Sequence, residues 1–281
     1  MRTGILNMTK TQRTIMKKIG FYTLLAIIIF AFVFPFIWMV TASFKTQAQI
    51  QSTKNLFIFE PTLDNYKNVF FNYNFTRPIV NSAIVALTST FIALLIGLPA
   101  SYGVARFGLH KLGGIVLIIR FFPGITFLIP WFTIFNKIGL TDTHIVLILS
   151  HLFLNLPFII WLMVPFFEHM PRELEDSARV DGCSVYGTLI KINLPLAVPG
   201  IITASLLSIV FSWNNLVFSM VLSGMKTKML PMAILNFITY ALIDWGALMA
   251  ASVIITIPIL AFSFITQRYI IQGLTAGAVK G

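Results

Sequence analysis

"PRELEDSARVDGCSVYGTLIKINLPLAVPG", residues 171–200, is a polar island between two long apolar runs. It holds Glu173, Glu175, Asp176 and Asp181, four of the nine acidic residues in the chain, together with Arg172, Arg179 and Lys191. The stretch reads as helix, turn, helix. Pro171 suits a first helical turn, Glu173 and Glu175 suit the positive end of a helix dipole, and Glu175 precedes Arg179 by four residues as a stabilising pair. Leu174 and Ala178 form a small apolar face. Gly182 supplies the left-handed residue that ends a helix, and Ser184 can cap a second one. Val185, Tyr186, Leu189 and Ile190 give that second helix an apolar face, and Pro195 and Pro199 end it before the next apolar run. By these residues alone, the hairpin either rests on a membrane surface or docks a soluble partner.

The sequence around this island is built for lipid. With 57% hydrophobic residues, 10% charged and a mean hydropathy of +0.88, a soluble core would be over-supplied. A span needs about 20 mostly apolar residues, and six stretches qualify: 20–43, 78–105, 112–135, 144–167, 197–222 and 245–265. The fold class predicted is therefore all-α and polytopic, with the polar island between spans four and five. The first run is too long for the core of a secretory signal and is kept as a span. Residues 229–245, short and interrupted by Pro231, predict a helix at the surface or dipping in, a seventh span being the alternative.

Basic residues set the orientation. Six spans put twelve Lys and Arg on one side and seven on the other, so both termini and residues 171–200 are expected in the cytoplasm. The net charge of +11 is then the ordinary signature of cytoplasmic loops and calls for no nucleic-acid partner. The lone cysteine, Cys183, excludes an internal disulfide and any cage of cysteines for a metal. Neither a GxxxxGK[ST] phosphate loop nor HExxH or CxxC spacing occurs, so no metal or nucleotide cofactor is expected on this chain. The spans carry no interior Asp or Glu, the groups that ion-driven carriers keep buried. A transporter of this kind must be powered from elsewhere.

"EDSARVDGCS" followed by "INLPLAVPG" resembles the EAA loop of the membrane subunits of ABC importers. Asp176 stands at the Glu position, Ser177 and Ala178 at the two Ala positions, Asp181 at the Asp that precedes the glycine, and Gly182 at that glycine; Leu194 and Pro195 supply the Leu-Pro pair. Asp for Glu and Ser for Ala are departures that keep charge and size. "FSWNNLVFSMVL" and the terminal "QRYIIQGLTAGAVKG" are similar to the carbohydrate-uptake branch, the maltose-type permeases.

That resemblance implies a sugar permease in a prokaryotic inner membrane, with residues 1–19 a basic cytoplasmic N-terminus, 20–270 the transmembrane domain and 271–281 a cytoplasmic tail. It implies that Glu175, Asp176, Ser177, Ala178, Asp181, Gly182, Leu194 and Pro195 couple to a cytoplasmic ATPase dimer, which binds ATP and Mg. Gln272, Gly273, Thr275 and Lys280 would reach towards the same ATPase. The remaining implied partners are a second, homologous permease forming a heterodimer, and an extracytoplasmic sugar-binding protein.

A substrate path is a separate expectation. Ser205, Ser208, Ser212, Asn215 and Ser219 follow one another by three, four, three and four residues, which predicts one helical face for sugar hydroxyls or for close helix packing. His151 and Asn155 lie one turn apart, while Trp131 could stack on a sugar ring or simply pack. Arg120, inside its span, must pair or snorkel. Tyr66, Phe70, Phe71 and Tyr73 sit in a segment that either faces the binding protein or anchors at the membrane interface. The rivals to an importer are an ion-coupled secondary carrier and a non-transporting membrane scaffold.

Overall fold

The computed structural model describes residues 10–239 and 243–276, and these are helical wherever they are regular, apart from one isolated antiparallel bridge between Ile238 and Ile243. Four helices are long and apolar enough to cross a membrane unbroken: α1 (Lys10–Ser43), α2 (Thr76–Phe107), α5 (His144–Glu168) and α10 (Trp245–Ala276). The third apolar run is broken. Its halves, α3 (His110–Phe121) and α4 (Gly124–Lys137), meet at 89°, because Phe122 is extended ahead of Pro123, the conformation that a following proline favours.

The polar island forms α6 (Arg172–Val180) and α7 (Val185–Leu196); α8 (Val198–Trp213) then leaves α7 at 78°. The fifth run does not stay helical to residue 222. Asn215 is extended, its Oδ1 accepts the Phe218 N–H at 3.1 Å, and a separate helix, α9 (Leu216–Leu222), starts there. The expected six spans thus become, among the described residues, four unbroken helices and two broken runs, α3 with α4 and α8 with α9.

The centre of the fold is the pair α2 and α5. At Gly97 a Cβ would stand 2.9 Å from Ile159 Cγ2, so only the missing side chain allows the two helices to lie this close. Gly200 does the same for α8, where a Cβ would lie 2.8 Å from the Phe166 ring. Buried Ala93, Phe158, Ile159, Met163 and Ala204 fill the seam between these three helices. The long α1 lies along α10 and leaves its own apolar surface almost wholly exposed, as a helix in lipid would.

At the end opposite α6, polar bonds knit the loops. Asp142, at φ 56°, accepts the Gly224 N–H at 2.8 Å, the Lys226 N–H at 3.1 Å, and the Thr227 N–H and hydroxyl at 2.9 and 2.7 Å. Asn81 donates to the Lys226 and Lys228 carbonyls at 3.2 and 3.0 Å, and its Oδ1 lies 2.9 Å from His144 Nε2. Residues 229–239 make only two short turns, Leu230–Ala233 and Ile234–Phe237, whose Met229, Leu230, Ala233 and Phe237 are buried in protein. Among the described residues this segment is neither a seventh span nor a surface helix. It is a packed re-entry into the core.

The candidate ATPase-coupling loop and the polar seam

The helix, turn, helix reading of the island holds. Gly182 is left-handed at φ 84°, and the Cys183 N–H closes back on the Ala178 carbonyl at 2.9 Å. Ser184 Oγ then accepts the Gly187 N–H at 3.1 Å and starts α7. The two apolar faces do not survive whole. Ala178 is buried while Leu174 is exposed, and Leu189 is buried while Val185, Tyr186 and Ile190 face outward.

Glu175 departs furthest from expectation. Its carboxylate is 3% exposed and does not pair with Arg179. Oε1 takes the Arg106 Nε–H at 2.5 Å, and Oε2 takes the Tyr102 hydroxyl at 2.9 Å. Arg106 Nη2 also donates to the Met170 carbonyl at 2.9 Å, so one guanidinium joins the end of α2 to the chain leaving α5 and to α6. Helical spacing finds partners only within one helix, and this partner lies 69 residues away.

With Glu175 turned inward, the outward surface of the loop holds Glu173, Asp176 and Asp181 beside Arg172 and Arg179, with Ser177 and Gly182, flanked by Leu174, Tyr186 and Val180, the last 88% exposed. Pro195 is exposed and Leu194 is half-buried against the core. Charges of both signs and apolar groups stand side by side on this exposed rim. Such a rim suits docking to a protein better than burial in lipid, where exposed carboxylates are costly.

The serine row does not form one face. Ser208 and Ser212 lie on α8, Ser219 on α9, and Asn215 caps the break between them. Ser212 Oγ accepts from Asn155 Nδ2 at 2.9 Å and lies 3.3 Å from Ser89 Oγ, a residue that spacing could not have linked to it. This is a buried seam between α2, α5 and α8. His151, 1% exposed, sits one turn from Asn155 with neither ring nitrogen bonded, and Ser208 Oγ is likewise without a partner. Ser205 is half-buried and bonds its own helix at Ile201 O, 2.6 Å away.

Arg120 ends α3 with its guanidinium 4.5 Å from the Phe158 ring centroid, a cation–π contact in place of an acid partner. Trp131 stacks on Phe135 at 5.0 Å and packs near Phe153 and Phe218. The four aromatics of residues 66–73 divide. Tyr66 and Tyr73 pack inward, on Ser43 and Phe237, while Phe70 and Phe71 stay exposed. In the tail, Gln272, Gly273 and Thr275 continue α10, and Lys280 lies outside the described residues.

Residues 90–276 match the family described as binding-protein-dependent transport system inner membrane component. The chain is 34% identical to a probable ABC transporter permease, y4oR of Sinorhizobium fredii, over 98% of both chains. It is 37% identical to the trehalose transport system permease SugB of Mycobacterium tuberculosis, over 88% of this chain and 92% of that one. Among solved structures, a bacterial ABC transporter involved in the import of the acidic polysaccharide alginate superposes with a TM-score of 0.77 at 21% identity, covering 93% of this chain and 98% of that one. That match speaks for the fold. By sequence, the chain belongs to the family of binding-protein-dependent transport system inner membrane components, the multi-pass permease subunits of ABC transporters, which are not themselves enzymes.

Proposed function

We propose that this chain is one of two permease subunits of an importer that carries a sugar or oligosaccharide by ATP-driven alternating access. The observation that carries the reading is the divided loop: its charged and apolar rim is exposed while its other face is locked to α2 and to the chain leaving α5. A rim of that kind receives force from a partner, and a locked face passes it on. The partner is a separate cytoplasmic ATPase dimer holding ATP and Mg, and Asp176, Ser177, Asp181 and Gly182 are the docking residues.

In this reading six spans cross the membrane, α3 with α4 counting as one and α8 with α9 as another, with both termini and α6 and α7 in the cytoplasm. Residues 271–281 reach towards the ATPase pair. A homologous permease completes a heterodimer, and an extracytoplasmic binding protein delivers the sugar at the end where Asp142 and Asn81 fix the loops. The relative supporting a carbohydrate cargo is the trehalose permease. For the path, Asn215 and Trp131 are half-buried and Arg120 is exposed, so these three remain open to a substrate. His151, Asn155, Ser208 and Ser212 are closed within the chain and would meet it only if α2, α5 and α8 moved apart.

Reconstituting the chain in liposomes with its partner permease, ATPase and binding protein tests the reading. Sugar-loaded binding protein should raise ATP hydrolysis and drive sugar uptake. Uptake without nucleotide would point to a secondary carrier. Assembly without sugar-stimulated hydrolysis would leave a scaffold.

A further inference from the structure

The loop that should present its acids to a partner keeps one of them for itself. Glu175 sits on the coupling helix α6, yet both carboxylate oxygens are spent on α2, and Arg106 carries the tie on to Met170 behind α5. Tyr102 adds a ring contact, edge-on to Phe167 of α5 with centroids 5.8 Å apart. From this joint, α2 and α5 run together, in contact at Gly97 and Ile159, to the far end of the molecule, where Asn81 of α2 meets His144 of α5 and holds the 226–228 backbone.

We infer that Glu175, Arg106 and Tyr102 are positioning residues that weld the coupling helix to the α2–α5 pair, so that movement of α6 reaches the opposite end of the molecule as rigid-body motion of both helices. Apolar contact alone would let α6 slide, since dispersion has little directional preference. A charged hydrogen bond with a second donor on the same carboxylate fixes both distance and angle. The inference rests on the importer reading and goes beyond it by assigning Glu175 to transmission and leaving ATPase contact to its neighbour Asp176.

The test uses the assembled complex and the native Cys183. One spin label goes on Cys183 and the other on Glu168→Cys, at the exposed end of α5. In the otherwise unaltered complex the distance distribution should be narrow, and it should stay so when ATP is trapped. Glu175→Gln should broaden it, with the ATPase still co-purifying and the stimulation of hydrolysis by loaded binding protein falling tenfold or more. Tyr102→Phe removes only the hydroxyl and should lower that stimulation two- to fivefold, a check available even if Glu175→Gln fails to assemble. Stimulation at the unaltered level in both variants would overturn the inference, as would lost stimulation with an unbroadened distance. No stimulation in the unaltered complex would instead remove the importer reading, whatever the distances show.

Discussion

The two ends of the α2–α5 pair are held in different ways. At the α6 end, one buried ion pair and one hydroxyl join three elements. At the other end, a single carboxylate, Asp142, accepts four hydrogen bonds from a loop, and neutral Asn81 supplies the rest. The first joint concentrates its strength in a pair of charges, each useless without the other. The second spreads it over backbone groups. A lever needs the first kind where force enters, and a fixed platform is better served by the second.

The largest expected effect comes from breaking the concentrated joint. Arg106→Ala leaves the Glu175 carboxylate buried without its cation, which costs about 3–5 kcal/mol where such pairs have been split. Thermal unfolding of the purified complex should therefore shift to markedly lower temperature. A change no larger than that of an exposed arginine would mean that the pair is open to water.

At the distributed end, Asp142→Ala strands three N–H groups and a hydroxyl, and half-exposure of the site limits the loss to about 1–3 kcal/mol. Hydrogen exchange should rise across residues 223–228 and hardly change at α6. The same contact has a pH signature. Burial works against charge on Asp142, but hydrogen bonds, led by the Thr227 hydroxyl, outweigh it and hold the carboxyl below its ordinary value of 3.8. A depressed pKa stabilises above the unfolded value and is lost as pH falls through the folded one. Protection of residues 223–228 should thus be full at neutral pH and fade only below about pH 3.8. Fading near pH 6 would contradict the assignment.

A smaller change sharpens the comparison from within the loop. Gly182→Val forces a branched side chain into the left-handed region, at about 1–2 kcal/mol, where nothing else crowds a Cβ. The global fold should tolerate this. The angle between α6 and α7 should not, and ATPase co-purification is expected to drop while thermal unfolding of the permease moves by only a few degrees.

Much of this was legible in the chain itself. Hydropathy located every long apolar run, and Gly182 and Ser184 marked the turn between α6 and α7 because their backbone requirements are local. The breaks were harder to read. Pro157 and Pro165 lie inside α5 without ending it, whereas Pro123 turns the chain by 89°. A proline permits a break, and packing decides whether one forms. The serine row failed at Asn215 for a related reason, since spacing assumes a helix that the Asn215 cap interrupts. The Glu175 joint was beyond reach because it depends on which span lies beside α6. A tyrosine and an arginine one turn apart at the end of an apolar run, Tyr102 and Arg106, were its only trace.

Two adjacent acids on α6 have been given opposite duties, and one side-by-side co-purification separates them. Asp176→Lys and Glu175→Gln complexes are expressed with the tagged permease, and the amount of ATPase retained is measured against the unaltered complex. Reversing the exposed Asp176 should strip the ATPase from the membrane subunits, while neutralising the buried Glu175 should leave it bound. Retention by Asp176→Lys together with loss in Glu175→Gln would place the docking contact on the wrong acid and contradict the account.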